Sequence, residues 1–303
     1  MDVRAKHPVG LLLALLLGAC LLTGCGGGPH AGDGHARSLQ QRQQEGRARQ
    51  VADAWRGSAS AAAWSEGYYP MADAVRIPRS GWRGKADEQA YERENFTLRT
   101  DLPTASAGHG KVVWKSGGTL SRPLWGARKA YRSFARGDSE GPRLTVTGVR
   151  LGETTITTSR GTATVPAWLF TLEGYDTPLE RVAAVPSKLP APPITQAGPG
   201  SAGGLERLAR LAGIAGNGRS LTVRATHGAC DDGPVVKAVE TDESVVLYAS
   251  VAGARSGPCT AALLEESVGV ELREPLAGRI LLDAFTGRPV PYGESDGPSP
   301  SWT

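Results

Sequence analysis

Four cysteines are the residues best equipped for covalent chemistry: Cys20, Cys25, Cys230 and Cys259. Joined to each other, Cys230 and Cys259 would close a loop of roughly 30 residues, a closure worth about 3–4 kcal/mol on chain-entropy grounds. Joining needs an oxidising compartment and alpha carbons within about 7 Å. Two free thiols or a metal pair are the alternatives. A metal needs more ligands than two distant cysteines, and only His227 lies near them in sequence. Asp231-Asp232, with Asp242 and Glu243, are the acidic groups closest to this region. Ca2+ takes six to eight oxygens. No ligand-spaced loop of the EF-hand kind surrounds these acids, so the plainer reading is a solvated turn. No cofactor or metal is expected.

Catalysis needs sets of groups in defined roles. The chain holds no HExxH, GxSxG, SxxK or GxxxxGK pattern. Beyond His30 and His35, which lie in a Gly-rich segment, a triad could draw on His109 or His227. Both read as loop or turn histidines. Carboxylates such as Asp87, Glu88 and Asp101 could serve glycan hydrolysis beside aromatic residues, but carboxylates alone are too common to carry that reading. Six of the seven tryptophans precede residue 170. Trp55 and Trp168 fall on periodic faces and are expected in the core. Trp64, Tyr68, Tyr69, Trp82 and Trp125 lie near element ends and are the expected partner surface.

Cys25 follows a different logic. Arg4 and Lys6 precede an apolar run from Leu11 to Leu22, the layout of a secretory signal. The run is shorter than the roughly 20 apolar residues that span a bilayer. Leu22-Thr23-Gly24-Cys25 looks like the bacterial lipobox. That resemblance implies a diacylglycerol on the Cys25 thiol and cleavage before it, with Cys20 discarded. Two acyl chains give lasting attachment where one gives only marginal binding. The expected location is the outer face of a bacterial cytoplasmic membrane, with membrane lipid as a partner through Cys25. In that oxidising setting a Cys230–Cys259 disulfide is expected.

The elements that would position these residues read as follows. Residues 1–24 are the signal peptide and 25–38 a lipidated Gly-rich tether. Residues 39–185 read as a helix-plus-β domain, opening with a helix over 39–56. A short helix is expected near 86–94, a strand at Val112–Trp114, and a helix starting at Pro123. Three strands follow from Leu144, turning at Gly152 and at Arg160-Gly161, with a bulge or sheet edge expected at Pro166. Residues 186–203 hold five prolines and read as a linker. Residues 204–292 read as a β-rich domain that begins with LERLARLAGI as an amphipathic helix, and 293–303 as a disordered tail. Two β units beginning LTV raise the question of a duplication. The fold class expected is α+β: two small domains dominated by antiparallel strands, with a few short helices.

Lys and Arg outnumber Asp and Glu by 34 to 30, and 27 of the 34 are Arg. With 40 Gly this matches a GC-rich coding style. No basic run appears, and no nucleic-acid partner is expected.

The segments AWRGS, GYYPM, TVPAWLFTLEGYDTP and ELREPLAGRILLDAFTGRPV resemble a group of uncharacterised actinobacterial lipoproteins. The resemblance covers most of the chain after Cys25. It implies export, lipidation and the disulfide, and names no activity. The expectation is therefore a lipid-tethered binding or structural module whose partner is an envelope protein or glycan. A cell-wall glycan hydrolase or transferase, or a sensory partner of a membrane kinase, are the alternatives.

Overall fold

The computed structural model describes residues 30–104, 108–198, 203–253 and 259–293. Cys25, the 1–24 signal segment and all of the 293–303 tail except Gly293 lie outside them. The chain separates into residues 1–38 and 39–303. The described part of the first unit is the opening of helix α1.

The helices are α1 (His30–Trp55), α2 (Ala59–Glu66), α3 (Lys85–Glu92) and α4 (Ala127–Arg132). The strands are β1 (Val75–Arg76), β2 (Phe96–Leu98), β3 (His109–Trp114), β4 (Thr119–Pro123), β5 (Leu144–Thr158), β6 (Gly161–Leu172), β7 (Leu179–Val182), β8 (Leu208–Ile214), β9 (Ser220–Gly228), β10 (Pro234–Glu240), β11 (Ser244–Val251), β12 (Leu263–Glu271) and β13 (Ile280–Asp283). The fold is α+β with mostly antiparallel sheets. Among the described residues no helix is long and apolar enough to cross a membrane.

The first sheet is built on the β5–β6 hairpin, which turns at Ser159-Arg160 with Gly161 at φ 90°, a left-handed value natural to glycine. The other edge of β6 is shared. Ala163 and Thr164 pair with β3, and Ala167–Phe170 pair with β7. Pro166 sits where that edge passes from β3 to β7, and its carbonyl accepts the Ala183 amide at 2.8 Å. The missing N–H of Pro166 thus falls in the gap between two partners, and the β5–β6 register runs past it unshifted. Gly110 lies against the Pro166 ring, where a Cβ would come within 2.6 Å of it.

Backbone bonds then close the sheet into a ring. β3 pairs with β4, and beyond β4 Val185 donates to Pro123 and Trp125 to Ala183. Ser187 donates to the Tyr68 carbonyl, Ser159 to Tyr69 and Met71 to Thr157. The path β5–β6–β3–β4–(183–187)–(68–71) therefore returns to β5. Its interior holds Tyr68, Val112, Trp114, Ile156, Ala163, Val165, Val182 and Ala184. The opposite face of β5, β6 and β7 packs Trp168, Phe170, Leu172 and Leu179 under α3 and α4. The alternation of strand side chains delivers odd positions of β6 to one core and even positions to the other.

The C-terminal strands form two sheets, β10–β11–β13 and β12–β9–β8. β11 is buried on both faces. Val245, Leu247 and Ala249 face the β8–β9–β12 sheet, while Val246 and Tyr248 meet Ala48, Val51, Ala52 and Trp55 of α1. That explains the unbroken apolar run SVVLYASV, where a half-exposed strand would alternate. Trp55, Trp64 and Tyr69 share this second core with Leu282 and Ala284, so the 186–203 stretch does not divide the cores. That stretch is tied down along its described length. Lys188 accepts from the Tyr69 hydroxyl, Ala191 from the Ser60 hydroxyl, and Ala197 donates to Phe285.

Three expectations are corrected. LERLARLAGI is not a helix but supplies strand β8. Leu208, Leu211 and Ile214 are spaced by three, yet they oppose Ala225, Val223 and Leu221, spaced by two. Two β-bulges insert the extra residues, so a helical period sits on one face of a strand. Pro123 does not open a helix; it ends β4, and α4 starts after Gly126. Gly152 makes no turn: β5 runs through it, with its irregularity between Val146 and Gly148. Helix α1 starts at His30, ahead of the start expected at residue 39. The two LTV units also pair differently, since β5–β6 is a hairpin whereas β9 and β10 lie in different sheets.

At the end of β13, buried Asp283 organises the turn to Gly287. Its carboxylate accepts from the Phe285 amide at 3.1 Å, and from the Thr286 amide and hydroxyl at 3.3 and 2.9 Å. Burial pushes its pKa up from 3.8 to about 6 against these hydrogen bonds. The fold therefore holds the proton more tightly than the unfolded chain does. The carboxyl contributes most below about pH 4, and its contribution falls as pH rises through about 6, by on the order of 3 kcal/mol in total. Asp283→Asn removes this titration. Denaturation midpoints from pH 3.5 to 7.5 should show wild type losing ground to the variant as pH rises; a difference independent of pH would refute the assignment.

Candidate binding cleft

The cysteine pair is joined: Cys230 and Cys259 form a disulfide with alpha carbons 6.0 Å apart. It links the chain after β9 to the chain before β12, two strands that pair from Leu263↔Gly228 onward. Beside it, the Asp231 carboxylate accepts the Gly228 amide at 2.7 Å and caps the turn. Among the described residues no three His, Cys, Asp or Glu side chains converge to hold a metal ion. His227 is buried on β9. Its Nε2 is 3.3 Å from Glu266 Oε1 but is not aligned for a hydrogen bond, and neither ring nitrogen has one among the described residues. His109 is exposed at the start of β3.

The five aromatics expected at a partner surface divide into two groups. Trp64, Tyr68 and Tyr69 are corrected to the interior, at 4%, 0% and 2% exposure. Trp64 and Tyr69 stack at 4.2 Å between ring centroids, nearly parallel. Tyr68 fills the closed sheet, where its hydroxyl has no hydrogen-bond partner among the described residues. A ring near the end of an element still buries its area when a neighbouring layer covers that end. Trp82 and Trp125 are half-buried. Trp125 lies under two cations, the Arg181 guanidinium at 4.5 Å and the Lys129 ammonium at 4.4 Å from its ring centroid. Arg181 is buried, donates to Ser133 Oγ and the Val182 carbonyl, and makes no ion pair among the described residues. Burial lowers its pKa to about 10, against the pull of Tyr68 and Tyr91, which leaves it charged at neutral pH.

Trp82 leads to the site that sequence alone does not reveal. Its ring packs against Tyr91 at 4.9 Å and meets Tyr175 edge-on at 6.0 Å. The Tyr175 hydroxyl donates to Asp87 at 2.6 Å, and Arg83 Nε donates to the same carboxylate at 3.0 Å. Burial raises the Asp87 pKa, but the Tyr175 and Arg83 hydrogen bonds outweigh it and hold the carboxyl below its usual value. A general acid needs the opposite shift. Glu88 and Asp101 are exposed.

Tyr91 in turn lines a cleft of about 730 Å³. Its walls come from the 72–79 segment, from Thr155–Thr157 of β5, and from Tyr91 and Tyr292. The segment is placed by Met71 bonding β5 and by Ala74 accepting from Val182 of β7, and along it Asp73, Arg76, Ile77 and Arg79 are exposed. Arg76 is oriented by donating to the Thr155 carbonyl at 2.6 Å and to Thr154 Oγ1 at 3.1 Å. The Arg79 backbone is fixed by its amide donating to Thr177 Oγ1 at 2.9 Å. Burial, and then the Asp73 charge, raise the pKa of both the Tyr91 and Tyr292 phenols. Both stay protonated near neutrality and can donate. The cleft thus offers two guanidiniums, two phenol O–H groups, one carboxylate and the exposed apolar side of Ile77. Such a set can make hydrogen bonds and ion pairs. Comparison with the known protein families, the curated proteins and the solved structures gives no match.

Proposed function

We propose that this chain is an exported lipoprotein, held by a diacylglycerol on Cys25 at the outer face of a bacterial cytoplasmic membrane, and that its folded body is a binding module for an envelope component. The observation that carries the proposal is the Cys230–Cys259 disulfide. Structural disulfides persist in oxidising compartments, which is where the apolar leader and the Leu22–Cys25 motif would send the chain. The cleft between the 72–79 segment, β5 and Tyr292 is the recognition site. The glycan-hydrolase alternative loses support because the Asp87 carboxyl is tied to Tyr175 and Arg83 and held ionised.

Replacing the anchoring thiol tests the address. Cys25→Ser expressed in a lipoprotein-processing bacterium should move the protein from the membrane fraction to the medium. Retention of the variant on membranes would contradict the lipid anchor.

A further inference from the structure

Arg76 and Arg79 bring two guanidiniums to a cleft whose lining holds one carboxylate, Asp73. Neither arginine makes an ion pair among the described residues. Arg79's side chain makes no hydrogen bond with them, and Arg76 bonds the protein through one nitrogen only. A guanidinium presents paired N–H groups that match a carboxylate fork-to-fork. Arg76 is already oriented by Thr154 and Thr155, so it loses little freedom on meeting an anion. The rest of the lining suits a hydroxylated ring: Tyr91 and Tyr292 donate, Asp73 accepts, and Ile77 offers an exposed apolar side. At about 730 Å³ the cleft is in the size range of small-molecule sites.

The geometry points to a sugar acid as the ligand: a hydroxylated ring bearing a carboxylate, with the carboxylate on Arg79 beside Arg76 and the ring hydroxyls on Tyr91, Tyr292 and Asp73. This assignment rests on the binding-module reading and is independent of the lipid anchor.

Titration calorimetry on the full chain with glucuronate and with glucose tests it. Glucuronate should bind saturably, and glucose about tenfold or more weaker, since a charged hydrogen-bonded contact is lost. Arg79→Gln should weaken glucuronate by a similar factor and leave glucose unchanged. Arg128→Gln, exposed on α4 and outside the cleft, should change neither. Equal binding of the two sugars, full glucuronate affinity in Arg79→Gln with an unchanged melting temperature, or no glucuronate binding would each overturn the sugar-acid assignment. None of those outcomes touches the lipoprotein reading, which stands or falls with Cys25→Ser.

Discussion

Trp55→Ala is expected to lower the unfolding free energy by about 3–5 kcal/mol, the largest single effect of any substitution considered. The indole is 1% exposed and packs between α1 and the β10–β11–β13 sheet, beside Val246, Leu282 and Ala284. Its Nε1 donates to the Gly287 carbonyl at 2.8 Å. Alanine removes the buried rings, leaves a cavity, and strands a carbonyl in the turn that Asp283 organises. Each of these destabilises, and the cavity term grows with the volume that fails to collapse. Trp55→Phe separates the contributions: it keeps most of the packing and loses the hydrogen bond, for a cost of about 1–2 kcal/mol. Urea unfolding of the three proteins measures both. A loss below about 1 kcal/mol for Trp55→Ala would mean that α1 does not cover this sheet.

Opening the disulfide should cost nearly as much. The bridge closes a loop with a sequence separation of 29, worth about 3–4 kcal/mol through the unfolded chain. The loop contains β10 and β11, and its ends sit where β9 and β12 begin to pair at Gly228 and Leu263. Cys230→Ser with Cys259→Ser, or reduction of the wild type, should therefore lower the denaturation midpoint by comparable amounts. Identical midpoints with and without reductant, in a protein whose thiol count confirms reduction, would deny the bridge its structural role.

What the sequence made legible was local. The strand at Val112–Trp114 and the β-rich stretch after residue 204 show through their β-branched content, and the turn at Arg160-Gly161 through a glycine that takes positive φ. The cysteine pair was legible from arithmetic and compartment together. β8 was hidden because two bulges give a strand the leucine spacing of a helix. The helix at Pro123 was misplaced because a proline that can open a helix can equally end an edge strand. Ring burial at Trp64, Tyr68 and Tyr69 depends on which layer lands on them, and local pattern does not encode that. The cleft was the least legible feature of all. Its lining comes from residues 72–79, from Tyr91, from 155–157 and from Tyr292, and no short window contains it. Only ring closure of the first sheet and the docking of the last residues bring those segments together.

We propose that Cys25 carries lipid and begins the mature protein. Mass spectrometry of the amino-terminal peptide, released from membranes of the native host, tests it most directly. The predicted result is a peptide beginning at Cys25 with a diacylglycerol-modified thiol. A peptide beginning at Met1 with a free Cys25 thiol, recovered from the soluble cell interior, would contradict it.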